Sequence, residues 1–559
     1  MSSIDQSLAP PDVQPSTSNL QISGWVLAAK PFASRISTPI LATMAIVSAA
    51  LVPSRMLLSR GEPDDSGVFA YIGWAMKHGL MPYRDVWDHK GPLLYYLQFA
   101  GMSLRSTSTF GIGLLEVIAL AATFYLMYRV IASFGSLFVG LAIAAFSIAF
   151  VTHFYAGGNM TESWALLPLA GAHYACWRWS QRLSRNWCAP VAGACFSCIF
   201  FLRPNMDAYP VMAMLVLLYA CTKRETLGAA MKQLGLASAS AVVVAGIIVA
   251  PLYHWGVFHE FVAAYFGYNA AYSRALSWDG RYLHTTQLLM LLFATAISIL
   301  GAAGWALAIR GATERKEVVA GLPWRYVQTL MWSLPLEIAA AALSGRDYPH
   351  YLLPLFPTLA VLAAWFFSQL QSQIKASSAR PALVTTLLLG LCPFALLAYV
   401  GDFARSTESP RSDFLAVAHF IQRATTPKDK ITVIETESGY ITFLAQRLPA
   451  SRFVYQLPLI DANNPVAGEQ RKQFMCDLAK NRPAVIVSSH SLFGILCATP
   501  LDCPAQDPGT PAAEYGYQYQ ILPKLFSNVM ESDYRQVSDT RFGAIRVLVR
   551  KDIAIPARW

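Results

Sequence analysis

The chain has 559 residues, of which 55% are hydrophobic and only 14% charged, with a formal net charge of +10. Soluble domains carry roughly 25% charged residues, so the balance excludes an ordinary soluble protein and points to a polytopic membrane protein. The positive excess is spread out, with no basic block or aromatic–basic motif, which argues against nucleic-acid binding and for cytoplasmic loops facing anionic lipid.

In chain order, residues 1–35 read as a disordered cytoplasmic tail, Ser/Pro/Gln-rich and without the apolar core of a cleavable signal. The first span would then be the targeting signal. A span needs about 20 mainly apolar residues, and candidates run near 38–58, 109–132, 136–153, 163–178, 188–202, 206–221, 234–253, 286–309, 326–343, 352–370 and 382–400. About eleven transmembrane helices are therefore expected across residues 36–401. Their interiors hold few charges, with Glu116, Asp207 and Glu337 as exceptions. Alternate loops concentrate Lys and Arg, which places the N-terminus in the cytoplasm and, with an odd span count, the C-terminal region outside. The 59–108 loop is external in this scheme although it holds five basic residues, since long loops translocate largely regardless of charge.

From residue 402 to 559 the composition becomes that of a soluble α/β domain, expected to be periplasmic. SPRSDFLAVAHFIQRAT places Phe414, Val417, Ala418 and Ile421 on one helical face, while KITVIET, PAVIVSS and AIRVLVRK read as buried strands. Helical segments near 438–446 and 467–480 alternate with them. Among nine cysteines, Cys195 and Cys198 form a CxxC inside an apolar run and read as buried thiols. Cys497 and Cys503, in the loop CATPLDC, stand where a disulfide and free thiols are both open readings.

The first external loop is the most patterned polar stretch. In PDDSGVFAYIGWAMKHGLMPYRDVWDHKGPLLYY, Asp65 precedes Val68, Phe69, Ile72, Ala75 and Met76 at amphipathic helix spacing, so its plain reading is a helix N-cap. A second helix starts at Gly91-Pro92 and would place Leu93, Leu94, Leu97, Phe99 and Ala100 in the membrane interface plane. Ionisable groups gathered beside a span also mark a place for chemistry.

The same stretch resembles the first external loop of GT-C class glycosyltransferases that use lipid-linked sugars, a class that includes aminoarabinose transferases and protein O-mannosyltransferases. The class pattern is Asp-Glu-Gly, an aromatic helix, Gly-x-x-Pro-Tyr-x-Asp, then Trp-Asp-x-Lys-Pro-Pro. Asp65 falls on its first Asp, and Tyr83, Asp85, Asp88 and Lys90 on later positions. Ser66 stands in place of the usual Glu and Gly91 in place of the first Pro. Three further stretches fit the resemblance: GGNMTESWALLPL would make Glu162 a second acidic position, FLRPN would place Arg203 at the external end of its span, and SGRDYPHYLLPLFP would supply Arg346, Asp347, His350 and Tyr351 from a late external loop. Each has a plainer alternative: a capping box at Glu162, headgroup snorkelling by Arg203, and interfacial anchoring by Tyr348 and Tyr351.

What the resemblance implies is an α-helical GT-C membrane protein with juxtamembrane helices in its first external loop, in a bacterial cytoplasmic membrane. Its substrates would be a polyprenyl-phosphate sugar and a cell-envelope lipid, glycan or protein acceptor, with membrane lipids around it. Asp65 would be the general base with Glu162 in support. Lys90 and Arg203, and then Arg346 and His350, would meet the donor phosphate, while Tyr83, Asp85, Asp88 and His89 would hold the loop in shape. A single displacement would invert the anomeric centre, and two nearby cations would serve the leaving phosphate without a metal or other cofactor. A lipid-linked polysaccharide polymerase or ligase shares the many-span plan, but would be expected to carry its active loop late in the chain. A secondary transporter would need charges lining the middle of its spans.

Overall fold

The computed structural model describes residues 65–374, 412–488 and 533–556, apart from short breaks within each. The N-terminal tail, the spans expected at 38–58 and 382–400, and the Cys497–Cys503 pair lie outside the described residues. The helices, in order, are α1 (Asp65–Lys77), α2 (Pro92–Leu104), α3 (Phe110–Ile131), α4 (Leu137–Phe154), α5 (Thr161–Gln181), α6 (Cys188–Phe200), α7 (Ala208–Arg224) and α8 (Leu227–His254). They continue as α9 (Trp278–Phe293), α10 (Ala296–Thr313), α11 (Trp324–Ala342), α12 (Phe356–Ile374), α13 (Ser412–Ala424), α14 (Ser438–Ala445) and α15 (Ala467–Asn481). Among the described residues, Phe110–Ile131, Leu227–His254 and Pro349–Leu370 are long and apolar enough to cross a membrane.

Helices occupy all nine expected spans that fall in the described residues, with one correction. The single helix expected at 286–309 is two, α9 and α10, bent by 96°. Thr295 stands at the break, its hydroxyl bonded to Leu292 O at 3.1 Å and to Ser298 Oγ at 2.7 Å. These side chains satisfy backbone and each other where the ladder stops, which an apolar run does not reveal. α6 packs along α5 and α8, α7 along α11, and α10 along α12.

The loop helices are a second correction. α1 has the expected start, with the Asp65 carboxylate in its first turn, where the helix dipole favours it. Yet every residue from Ser66 to Met76 is buried, so α1 is not amphipathic in its surroundings. α2 covers one side and α14 the other. The approach to α14 depends on two glycines: a Cβ on Gly67 would lie 2.7 Å from Tyr440 Cβ, and one on Gly439 2.5 Å from Val68 Cα. α2 does start with Pro92 at its first position, but of the residues expected in the interface plane Phe99 and Ala100 are exposed while Leu94 is fully buried.

The short pair β1 (Val318–Val319) and β2 (Leu322–Pro323) precedes α11. After α13, strands β3 (Lys430–Ile434), β4 (Leu448–Pro449), β5 (Val485–Ser488), β6 (Tyr534–Val537) and β7 (Arg546–Arg550) form a sheet in the order β4-β3-β5-β7-β6. β3 is parallel to β4 and β5, and β7 is antiparallel to β5 and β6. Phe414, Val417, Ala418 and Ile421 are buried as the spacing of α13 predicts. One apolar core runs without interruption from this sheet through α14 into α1 and α2.

Candidate active site

The segment between α1 and α2 is a compact loop wound around Lys90. Tyr83 adopts φ 69°, and its hydroxyl donates to Lys90 O at 2.9 Å. Asp85 Oδ2 accepts from Met81 N at 2.8 Å, while Arg84 caps the same carboxylate from outside. Asp88 lies deeper: Oδ1 accepts from His89 N at 2.7 Å and Oδ2 from the Tyr95 hydroxyl at 2.8 Å. The Tyr95 oxygen in turn accepts from Lys90 N at 3.1 Å. Burial works against the Asp88 carboxylate, but His89 and Lys90 outweigh it and hold its pKa below the ordinary value.

These bonds aim the Lys90 ammonium. Nζ lies 3.5 Å from Asp65 Oδ2 and 3.3 Å from His89 Nε2. Burial disfavours its charge, yet Asp65, Tyr351 and Asp88 together overcome both burial and the repulsion of Arg203, so its pKa stands above the ordinary lysine value. Asp65 is the open member, with 55% of its side chain exposed. A carboxylate that is half in water beside a fixed cation can receive an incoming proton donor from outside.

Behind Lys90 lies a buried ion pair. Arg203 follows α6 and binds the Glu162 carboxylate, which projects from the first turn of α5 with the Thr161 hydroxyl donating to it at 2.7 Å. The plain reading of Glu162 as a capping residue does not hold: the reciprocal bond at this helix start comes from Ser163, whose Oγ accepts from Met160 N at 3.0 Å. The Arg203 guanidinium lies 3.9 Å over the Tyr351 ring. His350 stacks on Tyr348, and the charges of Glu162, Arg203, Asp65 and Lys90 all act on it. Arg346 reaches over Tyr272, a ring that also feels Lys90 and Asp65. Asp347 turns away and meets His284 at 3.2 Å. Glu162, Arg203, Asn205, Glu337 and Tyr351 line a small cavity.

The structure therefore brings Asp65, Lys90, Glu162, Arg203, Arg346 and His350 to one region, and makes His89 a partner of Lys90 as well as a loop residue. Asn159, which the sequence does not single out, and Gly91, whose role it does not reveal, hold the parts together. Asn159 accepts from Gln98 Nε2 at 2.5 Å and Trp164 Nε1 at 3.1 Å, and donates to Ser66 O at 3.2 Å, so one side chain ties α1, α2 and α5. Its own backbone N–H is held by Glu116, which also accepts from the Tyr155 hydroxyl. Gly91 packs flat on the end of α6: a Cβ there would sit 1.8 Å from Phe201 O. No side chain fits, proline included, which accounts for the departure from the class pattern at this position.

No family model matches the chain, and no curated protein matches it. Solved structures do match. ArnT from Cupriavidus metallidurans, an aminoarabinose transferase, in its crystal structure bound to undecaprenyl phosphate, aligns at 15% identity and a TM-score of 0.55, over 82% of this chain and 94% of that one. The same protein in the apo state aligns at 15% identity and a TM-score of 0.54, over 86% of this chain and 95% of that one. The fold is the GT-C fold. Archaeal oligosaccharyltransferase AglB from Archaeoglobus fulgidus, in complex with an inhibitory peptide and a dolichol-phosphate, also aligns, at 14% identity and a TM-score of 0.47, over 92% of this chain and 74% of that one. At such identities the likeness is one of fold. The GT-C fold nevertheless agrees with the loop motif around Asp65 and Lys90.

Proposed function

We propose that the chain is a membrane glycosyltransferase that moves a sugar from a polyprenyl-phosphate donor to a lipid, glycan or protein acceptor of the cell envelope. The observation that carries this reading is the exposed Asp65 carboxylate 3.5 Å from the Lys90 ammonium, with the Arg203–Glu162 pair behind it. The GT-C fold, shared with a transferase solved with undecaprenyl phosphate, supports it.

In this scheme the acceptor hydroxyl or amine attacks the anomeric carbon from the side opposite the phosphate. Its proton passes to Asp65 as the new C–O or C–N bond forms. The anomeric C–O bond to phosphate breaks, and polyprenyl phosphate leaves with the electron pair. Lys90 and Arg203 stabilise the charge growing on that phosphate, with Arg346 and His350 closing from the late loop. Glu162 holds the Arg203 guanidinium in place. The leaving group is served by side-chain cations, so the scheme calls for no metal. About eleven spans would carry this site on the outer face of a bacterial cytoplasmic membrane, the N-terminus inside and residues 402–559 outside as a periplasmic α/β domain.

The test is genetic and chemical together. Lipid extracts from cells lacking the chain should accumulate a polyprenyl-phosphate sugar that the wild-type gene clears and Asp65→Asn does not. No accumulation, or clearance by Asp65→Asn, overturns the proposal.

A further inference from the structure

The sheet-bearing C-terminal part meets the Lys90 loop through the 452–455 segment, with Tyr455 placed at its polar groups. Tyr455 arrives beside Asp88 and His89 from a position 366 residues beyond His89. Its hydroxyl donates to Asp88 Oδ1 at 2.8 Å, and its oxygen lies 3.2 Å from His89 Nδ1. The contact is seated firmly: Trp87 N donates to Arg452 O at 2.8 Å, and the Trp87 ring packs against Phe453 and Tyr455.

The proton positions follow from counting donors. A lysine ammonium offers three donors and no lone pair, so the imidazole nitrogen 3.3 Å from Lys90 Nζ must accept. Nε2 therefore carries no hydrogen, and Nδ1 does. The Nδ1 hydrogen has two oxygens to reach: Tyr455, whose own hydrogen is committed to Asp88, and Asp88 Oδ1 itself at 3.3 Å. The other tautomer, and the imidazolium, would both point a hydrogen at the ammonium.

We propose that Tyr455 is a positioning residue through which the C-terminal part sets the proton state of His89 and so the aim of Lys90. It rests on the assignment of Lys90 to the donor phosphate, but its first readout does not. With Nε2 accepting one Lys90 hydrogen and Asp65 facing another, the third is left for a phosphate oxygen. Without the tyrosine hydroxyl, Asp88 keeps the His89 N–H and the Tyr95 hydroxyl but loses a donor on Oδ1, so more of its charge falls on His89 Nδ1. An ion pair with Asp88 then favours the imidazolium, which turns a hydrogen on Lys90 instead of a lone pair. The groups facing His89 are Asp88 and Lys90 on its own loop, Asp65 from α1, Tyr268 and Tyr272 from the 263–274 segment, and Tyr455. Burial and Lys90 disfavour the charged ring in the intact protein, and Asp88 favours it.

The test uses the full chain in nanodiscs. In nitrogen-15 spectra of histidine-labelled protein, the His89 signals are assigned by their loss in His89→Gln. At pH 7 the wild-type ring should show the neutral tautomer protonated on Nδ1; a neutral ring protonated on Nε2 overturns the proposal without any variant being needed. Tyr455→Phe, which removes one oxygen and keeps the ring, should move His89 toward the imidazolium. Undecaprenyl phosphate is then the binding probe, with variant and wild type compared at each pH so that the titration of the phosphate cancels. The variant should bind about tenfold more weakly at pH 6 and close to wild type at pH 8, the size of one hydrogen bond to a charged group. An unchanged His89 spectrum in Tyr455→Phe, or a loss of affinity equal at both pH values, refutes the coupling. Failure of sugar transfer with the spectral change present would refute the proposed function alone.

Discussion

Replacing Arg203 by alanine separates what its pair with Glu162 does for the fold from what it does for transfer. Glu162 is 2% exposed, so the variant leaves a buried carboxylate with the Thr161 hydroxyl as its remaining donor among the described residues. Removing one partner of a buried pair costs about 3–5 kcal/mol, because the other charge stays in place uncompensated. The guanidinium also loses its seat 3.9 Å over the Tyr351 ring, a contact of about 0.5–2 kcal/mol. Arg203→Ala should therefore destabilise the protein by about 4 kcal/mol or more. Adding Glu162→Gln to an Arg203→Met background removes both charges and keeps most of the volume, so it should return most of that loss. Transfer should not return, since the phosphate has lost its cation. Unfolding is followed by tryptophan fluorescence in nanodiscs and transfer by clearance of the accumulated lipid. An Arg203→Ala protein as stable as wild type would refute the buried pair, and a double variant that transfers normally would refute the role of Arg203 toward phosphate.

Gly91→Ala should cost about 2–3 kcal/mol and weaken undecaprenyl phosphate binding, because its methyl would enter the Phe201 carbonyl and push the Lys90 loop off α6; unchanged unfolding and binding would contradict this. Lys90→Ala should weaken undecaprenyl phosphate binding about tenfold or more, with the largest loss at low salt, and equal affinity would remove Lys90 from the phosphate site. His89 supplies a pH signature. Burial first, then Lys90, hold its folded pKa below the ordinary value, so as pH falls below about 6.5 the unfolded chain takes up a proton that the folded chain refuses. Stability should thus drop between about pH 6.5 and 5, and His89→Gln should flatten that drop; parallel curves for the two proteins would refute the neutral buried ring.

Much of the helical framework was legible because it rests on signals that stay local. Apolar runs of span length locate α3 to α8, and Pro92 at a first helical position locates α2. The α13 face and the three central strands follow from period and β-branched composition. What failed did so where a neighbour decided the outcome. α1 has an amphipathic pattern and is buried all round because α14, more than 360 residues away, covers the side that pattern leaves for water. The bend between α9 and α10 depends on two hydroxyls inside an apolar run. β6, with only Tyr534 fully buried and a polar Arg535-Gln536 centre, carries no strand alternation strong enough to read.

The candidate site divides along the same line. Asp65 and Lys90 share a patterned loop and could be paired on paper. Ser66 and Gly91, the two departures from the class pattern, could not be judged there, and their surroundings now explain both. Ser66 is 1% exposed and lies in the stretch that Asn159 ties to α5, so a glutamate at this position would have its carboxylate forced into the packed side of α1. The carboxylate that does stand behind Lys90 is Glu162 on α5, paired with Arg203. Gly91 sits where the Lys90 loop rests on the backbone that leads into Arg203, and Leu93 N donates to the same Phe201 carbonyl. The two cations assigned to the phosphate are thus set relative to each other by one bare backbone contact. A residue chosen for the absence of a side chain leaves little periodic signal, and its purpose shows only once the opposite strand of chain is in place.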